Sequence, residues 1–507
     1  MSLGRATLTV GGFTALSRVA GFARDLLVAA ALGAGPVADA FFVSLKLANF
    51  LRRLFAEGAF SAAFVPLFAR IAEAEGRRQA ARFAGQVLSV LALALAGVVL
   101  AGEILMPWLV RGLATGFEPG SPRFVLSVEF SRLTFPYLFF ISVAALLSGV
   151  LQAGHRFAAA ASAPVLLNAV LIAVLLLSGA EGGQAARLLA WGVAAAGALQ
   201  LAWVAGAAAR AGLMPRPAAP RLSPPLRRLL GLIGPGLLGI GVVQANLLVG
   251  SWFATHLPAG TVAYLFYADR LVQLPLGIVG VALGTALLPA LSQAARRGQA
   301  AHGLLNRAIE LALLLGLPAA VGLGVLAEPI IRVLFERGAF GAEATLATGQ
   351  VLAGLALGLP AYVLAKVLAI GFYAREDTRA PVRVAAMALL VNVAAASLLT
   401  SPLGHFGIAL AVSISSWANA LGLAALLWRR QLLAPDAGLV RRGLGTLAAV
   451  APMGAVLLAS RAGLGAGSAS ALALLIGAGA LTFAVAAWLA GAVDPGLVRG
   501  LRPVSRA

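Results

Sequence analysis

Eight basic side chains stand inside otherwise apolar stretches of this chain: Arg18, Arg24, Lys46, Arg52, Arg53, Arg132, Arg270 and Lys366. A guanidinium offers a planar fork of N–H donors that fits phosphate oxygens two at a time, so gathered arginines can grip an anion. In and around LKLANFLRRLFAEGAFSAAFVP (45–66) the charges share a helical face. Asp39, Lys46 and Arg53 recur every seven residues, two turns apart, and Asn49 and Glu57 join them through i, i+3 and i, i+4 steps. Arg18 and Asp25 are likewise seven apart.

A charge at the centre of a membrane helix costs about 2.5–3.5 kcal/mol, so the group would cost on the order of 10–20 kcal/mol facing lipid. The side chains must face a wet cavity or one another. Acids in the same stretches, chiefly Asp25, Asp39, Glu57, Asp269 and Glu310, are fewer than the bases, so pairing leaves positive charge over. A competing reading is a set of interhelical ion pairs: Arg24 or Arg18 with Asp39, Arg53 with Glu57, and Arg270 with Asp269. Lys366 and Arg132 lie closer to helix ends, where pairing or solvent explains them equally well.

The elements that must position these charges are membrane helices. Of 507 residues 61% are apolar and only 11% charged, a mixture foreign to a soluble globule with a charged surface. Stretches such as VLSVLALALAGVVLAG (87–102) and APVLLNAVLIAVLLLSG (163–179) approach the length an α-helix needs to cross hydrocarbon, without the period-two alternation of a barrel strand. Hydropathy predicts about fourteen spans, near 7–33, 38–68, 83–110, 124–153, 158–178, 187–209, 226–254, 262–292, 305–331, 344–373, 382–399, 405–428, 443–461 and 468–492. The opening MSLGRATLTVGGF lacks a cleavage pattern and reads as a retained first helix. Cysteine is absent and none of the four histidines pairs at i, i+4, so neither a metal site nor a cofactor is expected.

Loop position explains the net charge of +20. Twenty-four arginines fall in loops and termini on one side of the predicted spans, including Arg77, Arg78, Arg227, Arg228 and Arg383, and six fall on the other, Arg111, Arg123, Arg187, Arg332, Arg337 and Arg461. By the positive-inside rule the arginine-rich loops and both termini are expected in the cytoplasm. The basic excess is a topology signal and does not call for nucleic acid.

Landmarks recur at an offset of about 223 residues: Pro66 and Pro289, Pro107 and Pro329, Pro136 and Pro360, Asn168 and Asn392. Six helices per repeat is an even number, so the two copies keep the same orientation, as in transporters built from parallel repeats. The expected fold is an all-α polytopic membrane protein with two six-helix lobes, 1–209 and 229–430. A Pro-rich basic segment, 210–228, reads as a stiff cytoplasmic linker that lets one lobe move relative to the other. Residues 431–507 supply two further helices and a tail.

Three stretches make the resemblance specific: RRLFAEGAFSAAFVP (52–66), YADRLVQLPLGIVGVALGTALLPALSQ (267–293) and GFYAREDTRAPV (371–382). The chain resembles the MurJ (MviN) family of lipid II flippases, within the multidrug/oligosaccharidyl-lipid/polysaccharide exporter superfamily, over roughly residues 5–430. That resemblance implies transport of undecaprenyl-diphosphate-linked disaccharide-pentapeptide between leaflets of the cytoplasmic (inner) membrane, for cell-wall synthesis, by alternating access around a cationic cavity. It implies lipid II, membrane lipids and enzymes of wall synthesis as partners. On matching positions it assigns Arg18, Arg24, Arg52 and Arg270 to the cavity, with Arg53 and Lys46 beside them. It makes Asp25, Asp39 and Glu57 gating or ion-pairing residues, to which helical spacing adds Asn49 and the place beside Arg270 adds Asp269. The family mechanism draws on the membrane potential and sodium, but the seventh, eleventh and twelfth predicted spans contain no Asp or Glu. Gln244, Asn246, Asn392 and Ser413 offer neutral oxygens only, which counts against sodium coupling.

Three rival functions differ in what they require. A flippase for another polyprenyl-diphosphate-linked oligosaccharide would use the same basic cavity, whereas an exporter of cationic drugs would not. A membrane glycosyltransferase would need carboxylates together on the outer face, and Glu118, Glu181, Glu336 and Glu343 are spread over three loops with no motif joining them.

Overall fold

The computed structural model describes residues 3–53, 59–296, 302–464 and 467–493, with the side chains of 3–7, 59, 235–248, most of 278–289, 294–296 and 462–464 left aside. Among the described residues there are seventeen helices and one isolated β-bridge, Arg337 to Phe340. The chain divides into two compact units, one comprising 1–263 with 337–341 and the other 264–336 with 342–507.

The first unit contains α1 (Leu3–Leu32), α2 (Pro36–Arg52), α3 (Ala59–Ala74), α4 (Arg77–Leu113), α5 (Pro122–Thr134), α6 (Tyr137–Ala153), α7 (Ala158–Ser178), α8 (Gly182–Arg210) and α9 (Pro224–Thr255). Local chemistry sets several boundaries. Pro36, Pro122 and Pro224 open helices where a missing N–H is harmless, and the Ser121 hydroxyl accepts from Phe124 N at 3.3 Å. Gly179 ends α7 in the left-handed conformation. α1 packs along α7, α2 along α5, and α6 and α7 along α8. A row of phenylalanines joins α3 to α4: the fully buried Phe64 ring stands 5.4 Å from Phe60, 5.6 Å from Phe68 and 5.9 Å from Phe83. The 337–341 turn belongs here because Ala339 N donates to Ala30 O at 2.7 Å. Gly33 and Gly338 both take positive φ, and a Cβ on either would meet backbone at 2.4 Å or less.

The second unit contains most of α10 (Thr261–Arg296), then α11 (His302–Val325), α12 (Ala327–Phe335), α13 (Ala342–Ala356), α14 (Leu359–Tyr373), α15 (Arg379–Arg429), α16 (Ala437–Leu464) and α17 (Ala469–Leu489). α11 packs on α14 and α16, α13 and α14 on α15, and α16 on α17. α15 is two helical segments joined at Gly404, whose φ of 54° and ψ of −132° no helix accommodates. The repeated prolines mark matching breaks. Pro136 separates α5 from α6, and α13 meets α14 at a 40° bend just before Pro360.

Among the described residues eight helices or helix pairs are long and apolar enough to cross a membrane, nine when α13 and α14 count as one bent span. The remaining expected spans fall on α1, α9 and α10, on the second segment of α15, and on α2 with α3. The last two are separated by 54–58, outside the described residues, where the expected site residue Glu57 lies.

The Pro-rich stretch after α8 is bonded along α4. Ala218 N donates to Gly85 O at 3.4 Å and Ser89 Oγ at 3.1 Å, and the Ser223 hydroxyl donates to Gln86 Oε1 at 2.8 Å. Two residues of the expected linker, Ala218 and Ser223, are thus hydrogen-bonded to α4 within the first unit.

Candidate functional site

Arg24 sits in a brace built by α1 and α7. Its Nε and Nη2 donate to Asp25 Oδ1 at 2.9 and 2.5 Å, and its Nη1 donates to Asn168 Oδ1 at 2.9 Å. Asn168 turns its Nδ2 the other way, to Ser17 O at 3.0 Å, and Gly21 leaves room for the amide to lie across α1. Asn168 is buried in a stretch of Leu, Val and Ala, where an amide must find partners. The Arg24 side chain keeps 14% of its exposure and Asp25 only 4%. Three of the five guanidinium N–H groups are engaged, which leaves one on each terminal nitrogen for an anion. Arg18, on the same helix, is exposed.

The seven-residue spacing on α2 does place Asp39 and Lys46 toward the same part of the first unit. Asp39, 1% exposed, accepts from Gly260 N at 2.7 Å and Ala263 N at 3.0 Å, capping the start of α10 from another helix. Lys46 Nζ donates to the hydroxyl of Ser251 on α9. The suggested pairing of Asp39 with Arg24 or Arg18 is not what forms: its basic neighbour is Arg123, 3.9 Å away, because Arg24 is already turned to Asp25. Arg123 also donates to Leu257 O at 3.1 Å and lies 4.7 Å over the Phe117 ring. Farther along α2, Arg52 Nε donates to Asn49 Oδ1 at 3.3 Å, and Arg53 is exposed. Arg132 Nε reaches Glu103 O at 3.2 Å.

In the second unit, Arg270 stacks 4.6 Å above the Phe266 ring one turn earlier on α10, a cation–π contact. Its neighbour Asp269 accepts from the Gln273 amide. Glu310 is bound by Arg442 of α16. Of the neutral oxygens considered for sodium, the Ser413 hydroxyl donates to Gly354 O at 2.7 Å and Asn392 is buried, while the side chains of Gln244 and Asn246 lie outside those described.

Sequence reasoning passed over Arg123, Ser251 and Ser17 as site residues and used Asn168 only as a repeat landmark. For Asn168 a signal existed, an amide alone in an apolar helix. For the serines there was none, since a hydroxyl in a membrane helix ordinarily bonds its own backbone.

The family model described as "Lipid II flippase MurJ" matches residues 28–477. A protein of Rhizobium tropici named "Probable lipid II flippase MurJ" is 45% identical over 98% of this chain and 96% of its own. A "Lipid II flippase MurJ" of Burkholderia cenocepacia is 36% identical over 87% of each chain. Among solved structures, "Lipid II flippase MurJ, inward closed conformation" aligns with a TM-score of 0.81 at 24% identity, covering 95% of this chain and 98% of that one. An inward-facing MATE-family multidrug transporter aligns at 0.67 with 17% identity, covering 82% and 94%, a likeness of fold alone.

Proposed function

Because this chain belongs to the MurJ lipid II flippase family, we propose that it carries lipid II, the undecaprenyl-diphosphate-linked disaccharide-pentapeptide, from the inner to the outer leaflet of the cytoplasmic membrane. The observation that carries this reading is similarity sustained at 45% identity over 98% of the chain, which encompasses every arginine proposed to meet substrate. It is a transporter, without covalent chemistry.

Arg18, Arg24 and Arg52 of the first unit receive the diphosphate. Arg24 is the best prepared, its fork aimed by Asp25 and Asn168 and two N–H groups still to offer. Arg270, steadied on Phe266, is a further substrate contact. Alternating access carries the headgroup across, with arginine-rich loops and both termini in the cytoplasm. Uncompensated positive charge responds to the membrane potential by about 2.3 kcal/mol per charge per 100 mV, and this potential drives turnover without sodium. The lack of any Asp or Glu in the seventh, eleventh and twelfth predicted spans supports that reading. Enzymes that make and use the lipid in wall synthesis are its partners.

Two measurements test the proposal. The gene should rescue a strain depleted of its lipid II flippase, and the purified protein should move labelled lipid II across vesicle membranes. Rescue of a strain lacking another oligosaccharide-lipid flippase, with no transport of lipid II, would overturn it.

A further inference from the structure

We propose that the groove between the two segments of α15 is a binding site for an anionic phospholipid of the cytoplasmic leaflet, on the topology proposed above. The break at Gly404 turns the chain back so that 383–391 lies beside 418–422, enclosing about 360 Å³. The groove is lined by Val384, Met387, Val391, Ala418 and Gly422, with Arg383 as its one charged member. Gly422 is what brings the segments close: a Cβ there would meet Val384 Cγ1 at 2.8 Å.

Three features select the occupant. Met387, Leu390 and Leu421 are 62%, 62% and 61% exposed, so the groove opens on an apolar surface whose solvent is acyl chains. From Arg383 to Val391 the helix rises about 12 Å, room for a stretch of one chain beginning at the charged end. Arg383 is exposed and has no ion-pair or hydrogen-bond partner among the described residues, whereas nearby Arg375 donates to Gly371 O and Arg430 to Asp377. A tail laid in the groove brings its phosphate to that guanidinium, and a lipid with net negative charge gains most from it.

The test uses the full chain in nanodiscs with photoactivatable phosphatidylglycerol or phosphatidylcholine. Phosphatidylglycerol should label the peptides containing 383–391 and 418–422, and unlabelled phosphatidylglycerol should compete. Arg383→Gln should lower the preference for phosphatidylglycerol about fivefold with an unchanged melting temperature. Ala418→Phe, which fills the groove, should reduce capture of both lipids. Equal capture of the two lipids by the unaltered protein would overturn the proposal, as would an unchanged preference in Arg383→Gln. So would displacement of the label by a polyprenyl diphosphate but not by phosphatidylglycerol, which would give the groove to the transported lipid.

Discussion

Arg442 of α16 holds both carboxylate oxygens of Glu310 on α11, at 2.9 and 2.7 Å, and that carboxylate is 5% exposed. At the other end of α16, Arg461 donates to Val325 O at 3.0 Å and pairs with Glu328. The two C-terminal helices, which composition alone permitted to be lipid-facing bulk, are thus clasped to the second unit at both ends of α16.

Glu310→Ala leaves a guanidinium without its carboxylate in a mostly buried place and should cost about 3–5 kcal/mol. The double replacement Glu310→Leu with Arg442→Met should recover most of that loss, since neither charge is then stranded. Thermal unfolding of the two purified variants and the unaltered protein in one detergent gives the comparison; a double variant no better than the single one would refute the clasp.

Asn168→Ala should slow lipid II transport about tenfold while the protein still reaches the membrane. The charge of Arg24 survives, but one hydrogen bond that aims it, worth about 1.5–3 kcal/mol for a charged donor, is gone. Transport by labelled vesicles at saturating and limiting lipid II would show the change.

Asp39→Ala removes both bonds at the start of α10 and should destabilise the protein by about 0.5–2 kcal/mol, whereas Asp39→Asn keeps one carbonyl oxygen for them and should lose less. Melting temperatures in the reverse order would count against the cap.

The Asp377 carboxyl lies in the loop between α14 and α15, and the hydrogen bond from Arg430, aided by Ala380 N, holds it below the usual carboxylate range. A depressed folded value means that its stabilisation is complete above about pH 4 and fades as pH falls through the lower folded value. Asp377→Asn should therefore melt earlier than the unaltered protein at pH 7, with the gap closing toward pH 3. A constant gap across that range would contradict the pairing.

Gly85→Val should release the segment after α8, because a Cβ at Gly85 would come within 2.0 Å of Arg216 O. Limited trypsin digestion should then cut after Arg221, which precedes Leu222, several times faster, with transport as a second readout.

Much of this architecture was legible in order of residues. Pro136 and Pro360 announced matching breaks because proline removes an N–H wherever it falls. The spacing of Asp39 and Lys46 announced a common face because the helical period is local. What could not be read was the partner each charge chose. Asp39 spends its carboxylate 221 residues away at Gly260, and Arg24 finds Asn168 144 residues on.

By itself, then, the sequence determined that the chain is helical, apolar enough for a bilayer, and carries basic residues inside apolar stretches, all of which follow from composition and short-range periodicity. Tertiary structure alone decided that Arg24 is braced, that Asp39 caps another helix, that the Pro-rich stretch lies fastened on α4, and that α16 is clasped by two carboxylates. Hydrogen bonds and ion pairs act over about 3 Å, and which groups come that close depends on how helices distant in the chain lie side by side.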